Sequence, residues 1–195
     1  MKTPRRVVVA SKNPDKIREV EAVLRTLDPP IEIVHDLDWL DIEETEDTLE
    51  GNAVLKAISV AEATGIAAIA DDTGLEVDAL DGGPGVHTAR YAGADATYES
   101  NLAKLLSDLG GVEDRGARFR TVIALVVPGA DPILTEGVME GQIAHRPRGT
   151  NGFGYDPVFL VGDRTYAEMS DEEKNAISHR GLALRALADA LAAPH

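Results

Sequence analysis

Apolar and polar positions along the chain alternate between two rhythms, and each rhythm predicts a different element. Residues 5–10, RRVVVA, form a short apolar run and read as a first strand. A helix follows, with Asn13 as cap, Pro14 in the first helical position and Asp15 against the positive end of the helix dipole. Ile17, Val20, Val23, Leu24 and Leu27 make its apolar stripe, and Pro29 and Pro30 end it. Residues 31–35, IEIVH, read as a second strand. A longer helix spans Thr48 to Thr64, with Leu55, Ile58 and several alanines as its inner face and Gly65 as its stop.

Residues 66–70, IAAIA, are a buried strand by pattern, bounded at once by Asp71 and Asp72. An alternating run at Leu75, Val77 and Ala79 follows, then a GGPG turn at 82–85. A helix runs from Tyr98 to Leu109 and ends at Gly110 and Gly111. Residues 117–127 and 133–143 are strands joined by a PGADP turn, a hairpin. A glycine-rich loop, RPRGTNGFGYDPVF, leads into a short strand. One last helix starts near Ser170, with Ser170 and Glu173 as a capping box and Ile177, Leu184, Leu187 and Leu191 as its stripe. Strands and helices are mixed along the chain, so the class is α/β, read as one domain over 1–195. No repeat, linker or low-complexity tract interrupts it.

Composition narrows the function. The formal charge is −15, from 34 acidic residues against 19 Lys and Arg, which argues against a nucleic acid polymer as partner. There are no cysteines, so disulfides, thiolate catalysis and cysteine zinc sites are excluded. Only four apolar residues run together near the N-terminus, and no run approaches the roughly 20 residues of a membrane span, so the reading is a cytoplasmic protein without a membrane partner. The acids cluster: residues 35–50 carry eight of them and no Lys or Arg.

Four stretches could carry chemistry. ASKNPDK places Ser11, Lys12, Asn13, Pro14, Asp15 and Lys16 where a strand gives way to a helix N-terminus, a setting that favours anions but also fits an ordinary capped turn. Asp71 and Asp72, after the acidic loop, offer oxygen ligands of the kind Mg²⁺ takes, or an Asx-type turn. Two adjacent like charges at the end of a buried strand need solvent or a cation beside them. The GTNGFGYDP loop holds aromatics among glycines, suited to stacking on a planar base or simply to a tight loop with core rings. Lys174, His179 and Arg180 sit close together as donors on the last helix, or line a solvated face. Taken together the four describe one ligand, a nucleoside triphosphate with Mg²⁺.

These stretches, spread in order over nearly the whole chain, resemble the inosine triphosphate pyrophosphatases, which remove non-standard purine nucleotides. The resemblance rests on VVVASKNPDKIREVEAVL, EETEDTLEGNAVLKA, AIADDTGLEVDALDGGPGVHTARYAG, FRTVIALVV, GTNGFGYDPVF and TYAEMSDEEKNAISHRGLALRAL. It implies a long mixed sheet flanked by helices, two lobes around a central cleft, a homodimer, and Mg²⁺-dependent hydrolysis of ITP, dITP or XTP to the monophosphate and pyrophosphate. It places Ser11, Lys12, Asn13 and Lys16 on the phosphate loop, Glu43 on the metal-binding glutamate with Glu44 beside it, and Lys56 near the phosphates. Asp72 falls on the metal ligand and proton acceptor. Thr73 stands where the family usually has serine, and SKN stands where many members have T-G-N. Phe153, Gly154, Tyr155, Asp156, Lys174, His179 and Arg180 fall on nucleoside and base contacts. On this resemblance a cation and its bound phosphates make the Asp71–Asp72 pair tolerable. A nucleotide sensor without turnover, or a pyrophosphatase for modified pyrimidine or deoxynucleotides, remains the rival.

Overall fold

The computed structural model describes residues 3–25, 29–40 and 42–192. In chain order the described elements are β1 (Arg6–Val9), α1 (Pro14–Leu24), β2 (Glu32–Ile33), α2 (Leu49–Thr64), β3 (Ala68–Val77), β4 (Pro84–Gly85), α3 (Tyr98–Asp108), β5 (Gly116–Val126), β6 (Ile133–Ile143), β7 (Phe159–Val161), β8 (Arg164–Thr165), α4 (Asp171–Ile177) and α5 (His179–Ala192). Their strands form one mixed sheet in the order β2-β1-β3-β5-β6-β7-β8, with β4 on β3. β1 runs parallel to both β2 and β3, while β4 is antiparallel to β3, and β7 to β6 and β8. The α/β class and the long mixed sheet flanked by helices are therefore as the sequence predicts. No helix among the described residues is long and apolar enough to cross a membrane.

The chain divides into two compact units. One holds the residues up to Asp72, Thr121–Gly137 and those from His179 on; the other holds Thr73–Arg120 and Val138–Ser178. Each has its own apolar core. The first packs Val7, Val9, Ile69, Ile123 and Leu125 against Val20 and Leu24 of α1 and Ala183, Leu184 and Leu187 of α5. The second packs Leu75, Val77, Phe119 and Phe159 with Leu105, Tyr155 and Tyr166. Phe119, Phe159 and Tyr166 form an aromatic cluster there, with ring centroids 4.6 to 6.2 Å apart.

The local signals for helix ends hold. Asn13 accepts a hydrogen bond from the Asp15 N–H, and Gly65 closes α2 in the left-handed region at φ +67°. Ser170 and Glu173 form the capping box of α4. Leu27, placed on the stripe of the first helix by pattern, lies outside the described residues.

Three readings change. The strand read as stopping at Asp71 runs on through Asp71, Asp72 and Thr73 to Val77. The single last helix is two, broken at Ser178, whose backbone is extended at φ −66° and ψ 153°; α4 belongs to one unit and α5 to the other. Ile177 accordingly packs in one core and Leu184 and Leu187 in the other. The buried face of α2 is Leu49, Asn52, Ala53, Lys56, Ala57, Val60 and Ala61, whereas Leu55 and Ile58 are half-exposed.

Candidate active site

Neighbouring residues of a strand point to opposite faces. Asp71 and Asp72 do so in the first unit, and each is nearly fully buried. Each would cost heavily as a lone buried carboxylate, and each meets protein cations.

On one face, Asp71 Oδ2 lies 3.2 Å from Lys16 Nζ and accepts hydrogen bonds from Arg180 Nε at 3.2 Å and Nη2 at 3.1 Å. Arg180 Nη1 donates to Glu19. Lys16 and Glu19 are three apart on α1 and so share a side of that helix. Burial alone would raise the Asp71 carboxyl, but Lys16, Arg180 and Lys56 hold it well below the usual carboxylate range. Burial would lower the Arg180 guanidinium, and Asp71 and Glu19 raise it instead. The four side chains form a charge-balanced group of two cations and two anions. Arg180 is 2% exposed, so its guanidinium is a buried structural partner of Asp71. The first turn of α5 reaches this place because β6 carries Gly137 beneath it. A Cβ there would overlap the His179 carbonyl and the Ala183 amide nitrogen. Thr135 Oγ1 donates to the Ala183 carbonyl at 2.9 Å from the same strand.

On the other face, Lys56 Nζ donates to Asp72 Oδ1 at 2.9 Å and to Glu44 Oε1 at 2.7 Å. Asn52, one helical turn before Lys56, donates to Asp72 Oδ2 at 3.4 Å. Burial would lower the Lys56 ammonium; Asp72, Asp71 and Glu44 outweigh it, and the amine is raised above an ordinary lysine. The Asp72 carboxyl is raised, first by burial and then by Glu44, against the pull of Lys56. The acidic loop thus brings Glu44, not Glu43, to this group: Glu43 is exposed.

The donor chemistry here fits Mg²⁺. Two carboxylates share one ammonium, which leaves one negative charge in excess. Mg²⁺ uses one or two protein carboxylates and completes its octahedron with water and substrate phosphates. Among the described residues no three acidic or histidine side chains form a closed metal cage, and such an open site does not need one.

The phosphate-loop residues lie in the first unit too. Ser11 Oγ accepts from the Asn13 N–H at 3.2 Å, and Asn13 Oδ1 from the Asp15 N–H at 2.9 Å. Lys12 and Pro14 are exposed, and Lys16 turns toward Asp71.

The second unit carries the aromatic loop. Asp156 Oδ2 accepts from the Phe153 N–H at 2.8 Å and from Lys174 Nζ at 2.8 Å. Lys174 Nζ also stands 4.8 Å from the centre of the Phe153 ring. Gly152, at φ +73°, lets the carboxylate fold under the loop; a Cβ there would overlap it. Phe153 is half-buried, with Tyr98 tilted against it at 5.8 Å between ring centres. Tyr155 instead lies in the core and donates from its hydroxyl to the Thr88 carbonyl at 3.0 Å. Thr73 is half-buried at the start of this unit. The reading of Lys174, His179 and Arg180 as neighbours on one helix is corrected by the break at Ser178: Lys174 is on α4 and the other two open α5. All three are buried, so the solvated-face alternative is excluded as well.

Sequence reasoning did not single out Asn52, Glu19 or Gly137. Asn52 had a signal, a polar residue at i−4 from Lys56 amid an alanine-rich face. Glu19 and Gly137 had none, since their partners are distant in sequence.

The chain is a mixed α/β protein with cation-braced adjacent aspartates in one unit and an aromatic loop in the other. The chain belongs to the Ham1 family, whose model matches residues 7–190. It is 50% identical over 186 residues to the dITP/XTP pyrophosphatase of Bacillus licheniformis, covering 93% of this chain and 95% of that one. It is 49% identical over 191 residues to the dITP/XTP pyrophosphatase of Geobacter sulfurreducens, covering 95% and 96%. The solved Ham1 protein of Staphylococcus aureus superposes with a TM-score of 0.83 at 41% identity, covering 95% of this chain and 97% of that one.

Proposed function

We propose that this chain is a nucleoside triphosphate pyrophosphatase acting on non-standard purine nucleotides such as dITP, XTP and ITP. The observation that carries the reading is Lys56 held between Asp72 and Glu44, in a chain half identical to a dITP/XTP pyrophosphatase over nearly its full length.

Asp72 and Glu44 would hold Mg²⁺, which supplies charge neutralisation at the phosphate oxygens. Lys56, Lys16 and the amide end of α1 would bind the triphosphate. Asp72 would orient a water on the α-phosphorus and accept its proton. The new bond joins the water oxygen to the α-phosphorus, the α–β bridging P–O bond breaks, and pyrophosphate carries away the bridging oxygen and its electron pair. Positioning and electrostatics carry such a reaction, with little covalent work by the protein. Phe153 would stack on the base, and Lys174 would serve its 6-oxo edge. We place the acting form in the cytoplasm, in keeping with the cysteine-free chain, and as a homodimer, as the sequence resemblance implies.

The test is purified protein with Mg²⁺ and a panel of dITP, XTP, ITP, dATP, GTP and dUTP, with separate readouts for pyrophosphate and orthophosphate. One pyrophosphate and one monophosphate per turnover, fastest with the first three, is the expected result. Orthophosphate release, or tight nucleotide binding without turnover, would overturn it.

A further inference from the structure

The acidic loop before α2 must deliver Glu44 to Lys56, yet it contains no regular structure of its own from residue 42 to the helix. One buried side chain holds it. Asn52 Oδ1 accepts from the Glu46 N–H at 3.0 Å, and Asn52 Nδ2 donates to the Glu46 carbonyl at 3.2 Å. The amide thus clasps a single backbone unit from both sides, as a neighbouring strand would. The second Nδ2 hydrogen goes to Asp72 Oδ2 at 3.4 Å. One acceptor and two donors are all in use, and a flipped amide would lose both bonds to Glu46, so the orientation is dictated. Asn52 is completely buried. Gly51 adds a second fastening: a Cβ there would overlap the Glu46 side chain, so the loop lies directly on the first turn of α2.

We infer that Asn52 is a positioning residue that locks the Glu44-bearing loop to Asp72. Asn52 and Lys56 are one helical turn apart and both reach the same carboxylate, Asn52 on Oδ2 and Lys56 on Oδ1. Through Glu46 the amide fixes a point two residues from Glu44, and through Asp72 it fixes the plane of the carboxylate. A helix, a loop and a strand are thereby registered on one another by one side chain. The distance between the two carboxylates is then set before any cation arrives. This rests on the pyrophosphatase reading above, and a wild-type protein that fails to release pyrophosphate would overturn that reading without touching the anchoring of the loop.

The experiment compares wild type with Asn52→Ala and Asn52→Asp, the latter keeping an acceptor for the Glu46 N–H while losing both amide donors. Outer residues that orient metal ligands cost 10- to 100-fold in metal affinity or activity when removed, so kcat for dITP should fall by about that factor in both variants. The Mg²⁺ concentration for half-maximal rate should rise about tenfold on the same ground, with KM for dITP within about threefold. In cation-free wild type, hydrogen exchange should find the Glu46 amide protected like the interior of α2, and in Asn52→Ala exchanging like an open loop. Wild-type Glu46 exchanging at open-loop rates would overturn the inference even if the alanine variant failed to fold. So would an Asn52→Asp protein with kcat and Mg²⁺ dependence within about twofold of wild type.

Discussion

Asp71 and Asp72 are adjacent in β3 yet belong to separate ion-pair groups. Asp71 takes Lys16 and Arg180 within 3.2 Å, and Asp72 takes Lys56 at 2.9 Å. The pleat of the strand makes this division, and it separates two tasks. The Asp71 group is charge-balanced. The Asp72 group is short of positive charge and so is the one suited to a cation.

The raised carboxyl of Asp72 gives the first prediction. An acid whose native pKa lies above its unfolded value costs the fold stability when ionised. Asp72→Asn removes that cost along with a metal ligand and proton acceptor. The same change takes one of two anionic partners from buried Lys56, which keeps Glu44, so thermal unfolding should still show a folded, cooperative variant, while kcat with dITP falls about 100-fold or more. A variant with near-normal turnover would remove Asp72 from the chemistry.

Arg180 behaves otherwise. Its donors engage Asp71 and Glu19 in the buried interior, so Arg180→Ala takes a buried cation from two carboxylates. Removing one partner of a buried pair costs about 3–5 kcal/mol, and urea unfolding should show a loss of that size. Any change in the ratio of dITP to dATP turnover should be small beside it. A stable variant with a collapsed ratio would instead return Arg180 to the base contacts that the sequence resemblance implied.

Acid titration separates the same group in a second way. The Asp71 carboxyl is depressed in the folded state, while an unfolded aspartate titrates near ~3.9. Below that value the unfolded chain binds the proton that the folded chain refuses, so stability falls as pH falls. Its contribution is fully present above ~3.9 and lost as pH drops through the native value. Urea midpoints at pH 5, 4 and 3 should therefore decline less steeply in Asp71→Asn than in wild type, although the variant starts lower.

The parts of this architecture written in local pattern were legible in the sequence: the α/β class, the Asn13 cap, the Gly65 stop and the Ser170–Glu173 box. Each depends on residues within a few positions of one another. What escaped depends on distant partners. Nothing near Asp71 announces Arg180, 109 residues on. The continuation of β3 through two aspartates contradicts their low strand propensity and is made possible by those ion pairs. The break at Ser178 is invisible to a periodic stripe, because Ile177 and Leu184 keep helical spacing while serving different cores. Glu43 and Glu44 are indistinguishable by type, and the contact of Lys56 with Glu44 in the folded chain shows which one faces it.

Phe153 and Lys174 yield the last prediction. The Phe153 ring is half-exposed, and every base offers a face to stack on, so Phe153→Ala should lower kcat/KM for dITP and dATP together, by the ~1–3 kcal/mol typical of base–aromatic stacking. Lys174 is different in kind. It carries three donors and no acceptor, and Asp156 and the Phe153 ring fix its position. A 6-oxo purine offers an acceptor to such a cation, whereas adenine presents an amino group, itself a donor. A hydrogen bond to a charged group contributes ~1.5–3 kcal/mol, so Lys174→Met should cut kcat/KM for dITP by about 10- to 100-fold more than for dATP. The methionine keeps the length and apolar stem of the side chain, but buried Asp156 loses its cation and keeps the Phe153 N–H, so a loss of about 3–5 kcal/mol in urea unfolding should accompany the change. Steady-state kinetics with both nucleotides on both variants decides the matter. Equal losses for dITP and dATP in Lys174→Met would show that this lysine only braces the loop through Asp156, and that discrimination at position 6 arises elsewhere.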